Sequence, residues 1–235
     1  MALPLRHELK YFIARPQYEV LSRTLKGALK LDANAVRHGG SYHIRSLYFD
    51  TVFDDALYDK INGVKDRDKY RMRIYNYSDR EIFMECKTKV GALISKRSAQ
   101  ISRDMAEQII AGDPDSLEKT GSGLIRDVYR EMRTRLLHPV VIVDYRREAF
   151  LHPAEEVRIT FDMQLRSGLN SVDMFNPYLP TVPPFDHDEI ILEVKYNQVL
   201  PPYIANLLTY ALRDGACRSA ISKNVYCRRC EFKDF

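Results

Sequence analysis

The sequence lacks tryptophan, has few cysteines and contains no long apolar run. Its 235 residues include 15 Tyr and 10 Phe, so the aromatic content consists of these two residue types alone. No stretch approaches the roughly 20 apolar residues that a membrane-spanning helix requires. Residues 1–12 also lack the apolar core of a signal peptide. These absences predict a soluble, cytoplasmic protein.

The four cysteines give no sign of a metal centre. Cys86 and Cys217 stand alone, while Cys227 and Cys230 form one Cys-x-x-Cys near the end of the chain. A structural zinc site needs a second pair of ligands, and the sequence offers none nearby. The six histidines are scattered, without ligand spacing on a common face. We expect reduced thiols that take no part in the function.

Neither basic nor acidic residues are in large excess. The 36 basic and 32 acidic residues leave a net charge of +4, and this excess alone does not indicate a nucleic-acid-binding protein. The sequence contains no phosphate-binding loop, dinucleotide-binding glycine motif, zinc-protease helix or nucleophile elbow. A cationic site must therefore arise from the local placement of charges.

What the sequence does have is charge at every second residue of several predicted strands. The clearest cases are Arg6-x-Glu8-x-Lys10, Lys69-x-Arg71-x-Arg73, Glu85-x-Lys87-x-Lys89, Arg158-x-Thr160-x-Asp162 and Glu193-x-Lys195. Side chains alternate between the faces of a strand, so each charged set shares one face and the intervening apolar residues share the other. Solvent exposure explains any single strand. Five repeats favour a closed barrel, with charges inside and helices over the apolar outer face.

Hydrophobic periodicity predicts about eight strands and four or five helices. The strands are expected at 5–13, 42–49, 67–77, 81–90, 93–102, 140–150, 156–166 and 188–197, with one more short strand in the tail at 219–232. The helices are expected at 17–30, 53–61, 103–112, 123–137 and 202–213. This mixed order indicates an α+β fold. No shift in composition marks a boundary, so we expect one domain over residues 1–235.

A barrel lined by basic side chains suits a phosphate polyanion. Phosphate oxygens are bound by several cationic donors that converge on them, and enclosing like charges is costly unless an anion or carboxylates offset them. Mg²⁺ often needs only one or two carboxylates beside phosphate oxygens, so Glu193 and Glu8 are candidate metal ligands. For each residue alone, a surface ion pair is the simpler explanation.

Nine short segments carry a family resemblance. They are RHELKY at 6–11, SLYFDT at 46–51, KYRMRIY at 69–75, MECKTK at 84–89, SKRSAQI at 95–101, YRREAF at 145–150, VRITFD at 157–162, LEVKY at 192–196 and SKN at 222–224. In these segments and their order, the chain resembles the VTC-type polyphosphate polymerase domain of the triphosphate tunnel metalloenzyme (CYTH-like) superfamily. The resemblance implies an eight-stranded antiparallel β-barrel with a charged bore and helices packed outside.

The resemblance also implies an activity. VTC-type polymerases transfer the γ-phosphate of ATP onto a polyphosphate chain, using Mn²⁺ or Mg²⁺. The implied catalytic residues are Arg71, Arg73, Arg147, Arg158 and Lys87. Phosphate binding is implied for Lys10, Lys96 and Lys223, and the strand pattern adds Lys69 and Lys195. Glu193 matches the metal-coordinating glutamate, and Glu8 is a second candidate.

One departure from the superfamily pattern concerns the metal. The triphosphatase and cyclase branch begins with Glu-x-Glu-x-Lys, whereas this chain has Arg6-x-Glu8-x-Lys10. The change removes a metal ligand and adds a cation, which favours the polymerase branch. A triphosphatase of the same fold and a non-catalytic polyphosphate-binding module stay open as alternatives. ATP and polyphosphate are the expected partners; nucleic acid and a transmembrane segment are not expected, and a homo-oligomer stays open.

Overall fold

The computed structural model describes residues 5–117, 123–152, 157–213 and 217–230. In these ranges the chain forms eight strands of seven or more residues, two strands of two residues and seven α-helices. The strands are β1 (His7–Ile13), β2 (Lys30–Leu31), β3 (Tyr42–Asp50), β4 (Arg67–Tyr75), β5 (Ser78–Val90), β6 (Leu93–Ile101), β7 (His138–Leu151), β8 (Arg158–Ser167), β9 (Ile190–Tyr196) and β10 (Cys217–Arg218). The helices are α1 (Arg15–Ala28), α2 (Ala33–Arg37), α3 (Asp55–Ile61), α4 (Arg103–Ala111), α5 (Gly123–Arg135), α6 (Pro202–Ala211) and α7 (Lys223–Arg229).

The eight long strands form one antiparallel sheet that curls into a barrel. Their order is β1-β9-β8-β7-β3-β4-β5-β6, with β10 added beside β1 and β2 beside β7. The two ends of this order meet where Arg6 and Ile94 exchange two backbone hydrogen bonds of 3.0 Å. The predicted α+β fold with an eight-stranded antiparallel barrel is therefore confirmed. No helix in the described part of the chain is long and apolar enough to cross a membrane.

The apolar residues of the strands form the outer face of the barrel, and helices cover it. Beside β4 and β5, Met72 and Met84 are fully buried in one cluster with Ile109 of α4 and Val128 of α5. Beside β8 and β9, a second cluster joins Phe161 and Leu192 to Leu21 and Leu25 of α1 and Leu208 of α6. Burial of this face confirms the alternation read from the sequence and leaves the charged residues to face inward.

Local signals in the sequence set several boundaries. Ser102 caps α4 by accepting a hydrogen bond from the Met105 amide at 3.2 Å, and Gly112 ends that helix in the left-handed conformation, with φ 78°. Between β4 and β5 the turn consists of Asn76 and Tyr77, with φ of 50° and 57°. Two consecutive residues with positive φ match a tight two-residue hairpin turn.

The strand predicted in the tail is wrong. Residues 223–229 form the helix α7, and residues 231 and 232 of the predicted segment lie outside the described residues. The buried apolar side chains Ile221 and Val225 are four residues apart, which is helical spacing. The segment is too short for period alone to separate a strand from a helix. Packing of α7 against β7 and β8 decides the outcome.

Candidate active site

The barrel encloses a cavity of about 500 Å³. Its wall contains all twelve residues that the sequence assigned to the site, namely Lys10, Lys69, Arg71, Arg73, Lys87, Lys96, Arg147, Arg158, Lys195, Lys223, Glu8 and Glu193. Eleven come from seven of the long strands, and Lys223 comes from the start of α7. The charged strand faces therefore meet in one enclosed space, and the alternative of plain solvent exposure does not hold.

Carboxylates inside the barrel balance many of these cations. Glu85 of β5 is only 2% exposed and pairs with Arg71 at 2.7 Å and Lys96 at 2.5 Å, with Arg73 at 3.7 Å. Glu85 lies directly opposite Arg71 in the β4–β5 register. Such pairing offsets the cost of burying several guanidinium and ammonium groups together.

Glu193 of β9 is the most heavily contacted carboxylate of the bore. Its oxygens lie 2.7 Å from the ammonium groups of Lys195 and Lys223, 3.4 Å from that of Lys10 and 3.5 Å from a guanidinium nitrogen of Arg147. Burial opposes its ionisation, but these cations outweigh burial and hold the pKa of Glu193 well below its usual range. Glu193 is therefore an anion in the unliganded protein.

Two further carboxylates fix arginines of the bore. Asp162 accepts two hydrogen bonds from Arg147, at 2.6 and 2.7 Å, and pairs with Lys223 at 2.5 Å. Asp32, just before α2, pairs with Arg158 at 2.7 Å. The Arg158 side chain is 36% exposed, compared with 6% for that of Arg147, so Arg158 lies at the rim of the cavity.

Glu8 and Glu193 offer the donor set for a divalent metal. Both carboxylates contact the same ammonium group, that of Lys195, at 3.5 Å from Glu8 and 2.7 Å from Glu193. Within the described residues there is no group of three or more His, Cys, Asp or Glu side chains that could hold a metal ion. Two carboxylates still fit Mg²⁺ or Mn²⁺, because such ions often complete their coordination with substrate phosphate oxygens and water.

Tyrosine hydroxyls also contact the arginines. Arg71 donates to Tyr48, Arg73 to Tyr145 and Arg158 to Tyr42, each at 3.1 Å. All three tyrosines line the cavity. Each hydroxyl helps to hold one guanidinium in place, beside the carboxylates that pair with Arg71 and Arg158.

Lys195 and Lys69 of the bore have strongly depressed pKa values. Burial lowers the pKa of Lys195 to about 7, although Glu193 and Glu8 oppose the shift. Burial, reinforced by repulsion from Lys87 and Lys10, lowers the pKa of Lys69 to about 7. The Lys69 ammonium donates to the Ser222 hydroxyl at 3.2 Å. An anion bound nearby would restore the ordinary pKa of these groups.

The state of Lys69 leads to a pH prediction. A folded pKa near 7, below the ordinary value of 10.5, means that the unfolded chain binds more protons between these limits. The Lys69 contribution therefore stabilises the unliganded fold as pH rises from 7 to 10. The stabilisation by tripolyphosphate should instead weaken as pH rises, because the ligand binds the form in which Lys69 is protonated. At pH 8 the protein should therefore take up protons when tripolyphosphate binds.

Calorimetry in two buffers of different ionisation enthalpy would measure that proton uptake. The Lys69→Arg variant keeps its charge, so its affinity for tripolyphosphate should depend less on pH than that of the wild type. The titration of the ligand itself is common to both proteins and cancels in the comparison. Equal pH dependence in the two would show that Lys69 is already charged in the unliganded protein.

Several residues of the bore were not assigned to the site from the sequence. Glu85 and Asp162 belong to the charged strand faces that alternation identifies, and each pairs with a cation that lines the cavity. Arg6, Arg67 and Lys89 also follow that parity and line the cavity. Two others carry no such signal: Asp32 precedes α2, and Lys60 belongs to α3. Only the packing of these segments against the barrel brings Lys60 to the cavity wall and Asp32 to Arg158.

Comparison with known proteins agrees with this geometry. The profile of the VTC domain family matches residues 5–225. The chain belongs to the VTC domain family. This VTC domain has the fold of the triphosphate tunnel (CYTH-like) superfamily, as its motifs predict. A search of curated protein sequences found no significant match.

Solved structures show the same fold at low sequence identity. A protein from Hippeastrum, described as a candidate adenylyl cyclase with a dominant triphosphatase activity, superposes on the VTC domain with a TM-score of 0.59 at 15% identity, over 96% of each chain. A candidate adenylate cyclase from Bacillus halodurans gives 0.50 at 14% identity, over 91% of this chain and 90% of its own. One from Vibrio parahaemolyticus gives 0.50 at 11% identity, over 96% and 98%. The superpositions establish a shared fold, and at identities this low they establish no more than that.

Proposed function

We propose that this VTC domain is a metal-dependent ATP:polyphosphate phosphotransferase. The observation that carries the proposal is the enclosed cavity, in which ten predicted cations and two predicted metal ligands meet. Membership of the VTC family supports it. Phosphoryl transfer asks the protein mainly to position the phosphates and to neutralise their charge, and this bore is suited to both.

The proposed reaction needs no nucleophile from the protein. A terminal oxygen of the polyphosphate chain attacks the γ-phosphorus of ATP, the bond from that phosphorus to the β–γ bridging oxygen breaks, and ADP leaves with that oxygen. Arg71, Arg73 and Arg147, held by carboxylates and tyrosine hydroxyls, would bind the donor and acceptor phosphates. Their fixed N–H groups would stabilise charge that spreads over the transferred group.

The metal would bind at Glu193 and Glu8, together with phosphate oxygens. Mg²⁺ or Mn²⁺ supplies positive charge that neutralises the phosphates during transfer. Arg6 lines the cavity where the hydrolytic branch carries another glutamate. With one carboxylate fewer and one arginine more, the bore has a higher positive charge with which to bind an acceptor phosphate chain. Tighter binding of that chain would favour phosphoryl transfer to it over transfer to water.

Incubation with ATP and Mg²⁺ or Mn²⁺, followed by sizing of the products, tests the proposal. We expect ADP and long-chain polyphosphate in proportion, and no product when EDTA removes the metal. Free phosphate as the sole product would contradict the polymerase and identify a triphosphatase. Binding of polyphosphate without consumption of ATP would identify a binding module.

A further inference from the structure

One end of the bore has cations without carboxylates. We call it the α3 mouth, and it consists of Lys60 on α3, Arg67 and Lys69 on β4, and Lys89 on β5. Over the ranges that the structure describes, none of these four forms an ion pair with an acidic side chain. This contrasts with the middle of the bore, where Glu85, Asp162 and Glu193 pair with the cations around them.

The strand register brings the members of the α3 mouth together. Arg67 lies directly opposite Lys89 on the neighbouring strand, and Lys69 lies opposite Lys87. Helix α3 packs against β4 and adds Lys60, which no strand pattern would place there. All four side chains line the cavity and are half-buried.

These cations repel one another in the unliganded protein. Burial, then Arg67, Lys10 and Lys89, lower the pKa of Lys60 to about 8. Asp59 offsets part of the burial cost of Arg67, but within the described residues no carboxylate forms an ion pair with Lys60 or Lys69. Uncompensated like charges destabilise a fold unless an anion offsets them. Binding of an anionic ligand explains this cluster of cations, whereas the stability of the unliganded fold does not.

The opposite end of β4 has a different character. That strand runs from Arg67 through Arg71 and Arg73 to Tyr75, which pairs with Ile44 of β3. Tyr42, Ile44 and Tyr75 line the cavity there. At that end Arg158, which donates to Tyr42, is paired with Asp32, whereas the four cations of the α3 mouth form no ion pair within the described residues. Electrostatic attraction therefore favours extension of a long polyanion through the α3 mouth.

We propose that the α3 mouth binds the phosphates of a polyphosphate chain that extend beyond the middle of the bore, so that the protein prefers long chains to tripolyphosphate. The inference rests on the proposed function, since it assumes that the paired arginines of the middle bore hold phosphate. Repeating phosphates carry charge at short intervals, so successive anionic groups can meet Lys69, Arg67 with Lys89, and Lys60 in turn.

The test measures affinity in the absence of ATP and metal. The ligands are tripolyphosphate and a long-chain polyphosphate, and the proteins are the wild type, Lys60→Gln combined with Lys89→Gln, and Lys30→Gln. Lys30 is exposed on β2, away from the cavity, so Lys30→Gln measures the effect of removing one positive charge outside the bore. We expect the double variant to lose about tenfold or more in affinity for the long chain. Its loss of affinity for tripolyphosphate should be several-fold smaller than that. Its long-chain affinity should also depend less steeply on salt.

Each other outcome overturns a defined part of the inference. Equal losses for both ligands, or a loss no larger than that of Lys30→Gln, would contradict the α3 mouth and leave the proposed function standing. If the wild type bound neither ligand, both the proposed function and polyphosphate binding at the α3 mouth would be rejected. If a single-stranded oligonucleotide matched the long polyphosphate in affinity and in loss, the mouth would be a general polyanion surface. Failure of ATP turnover with the length preference intact would reject the polymerase alone.

Discussion

Glu193→Gln should abolish metal-dependent turnover of ATP and also destabilise the unliganded protein. The substitution keeps the size of the side chain but removes the anion that contacts Lys195, Lys223, Lys10 and Arg147. Loss of a metal ligand that neutralises the transferring phosphate should lower the rate by about 100-fold or more. Loss of one partner of a buried charge cluster should lower the free energy of unfolding by about 3–5 kcal/mol.

The same substitution should strengthen the response to an anion. Without Glu193, four cations are left with less compensation, so metal-free tripolyphosphate should raise the melting temperature of the variant more than that of the wild type. Calorimetric melts with and without tripolyphosphate would measure this difference. Unchanged turnover would exclude Glu193 as the metal ligand, and Glu8 would then be tested in the same way.

Glu148→Gln is a matched control for this experiment. Glu148 is also a buried glutamate, 3% exposed, but it lies outside the bore. It accepts a hydrogen bond from the Ser22 hydroxyl at 2.8 Å and pairs with Lys26 of α1 at 2.9 Å. The same chemical change should lower stability there while leaving turnover per folded molecule unchanged. A similar loss of turnover in both variants would trace the effect to folding.

The strand residues of the bore could be predicted from the sequence because their placement depends on parity alone. Side chains two residues apart in a strand share a face whatever the neighbouring strand is. Arg71, Arg73 and Lys87 could therefore be assigned to one face before any pairing was known. Closure of the sheet by Arg6 and Ile94 then turned that face into an interior.

The pairing within the bore could not be predicted in the same way. Register and shear decide that Glu85 meets Arg71, and that Glu193 meets cations from four separate elements. Lys60 and Asp32 enter from segments beside the barrel, so their positions depend on the packing of α3 and α2. These contacts join residues far apart in the chain, and local patterns carry no information about them.

Parity places some charges on the outer face of the barrel but does not show which groups they pair with there. Arg45 of β3 shares its face with Leu47 and Phe49, yet it is only 1% exposed. It lies opposite Asp144 in the β3–β7 register and forms a two-pronged pair with that carboxylate, at 2.9 and 2.7 Å. It also donates to the Asn176 carbonyl at 2.5 Å. A buried arginine outside the bore is thus a structural element of the fold.

Two buried arginines on adjacent strands, one on each face of the barrel, should therefore respond in opposite ways to substitution. Arg45→Met leaves Asp144 buried without its partner. His43 lies 3.8 Å from that carboxylate, and burial, with repulsion from Arg45 and Arg146, lowers its pKa to about 4 in the intact protein. Burial is the largest of these causes and remains in the variant, so it still disfavours a charged imidazole beside Asp144. We expect the free energy of unfolding to fall by about 3–5 kcal/mol. The affinity of the folded protein for tripolyphosphate should not change.

Arg73→Met should preserve the fold and weaken anion binding. Arg73 is 5% exposed and donates to the hydroxyls of Ser46 and Tyr145, while Glu85 keeps Arg71 and Lys96 as partners. Its removal also relieves repulsion with Arg71, so stability should stay within about 1 kcal/mol of the wild type. Loss of a charge-assisted contact should reduce tripolyphosphate affinity by about 10- to 100-fold. Urea denaturation and calorimetric titration of both variants would measure the two effects. If Arg73→Met unfolded the protein and spared anion affinity, Arg73 would be a structural arginine like Arg45, because an arginine that binds phosphate must affect the complex more than the empty barrel.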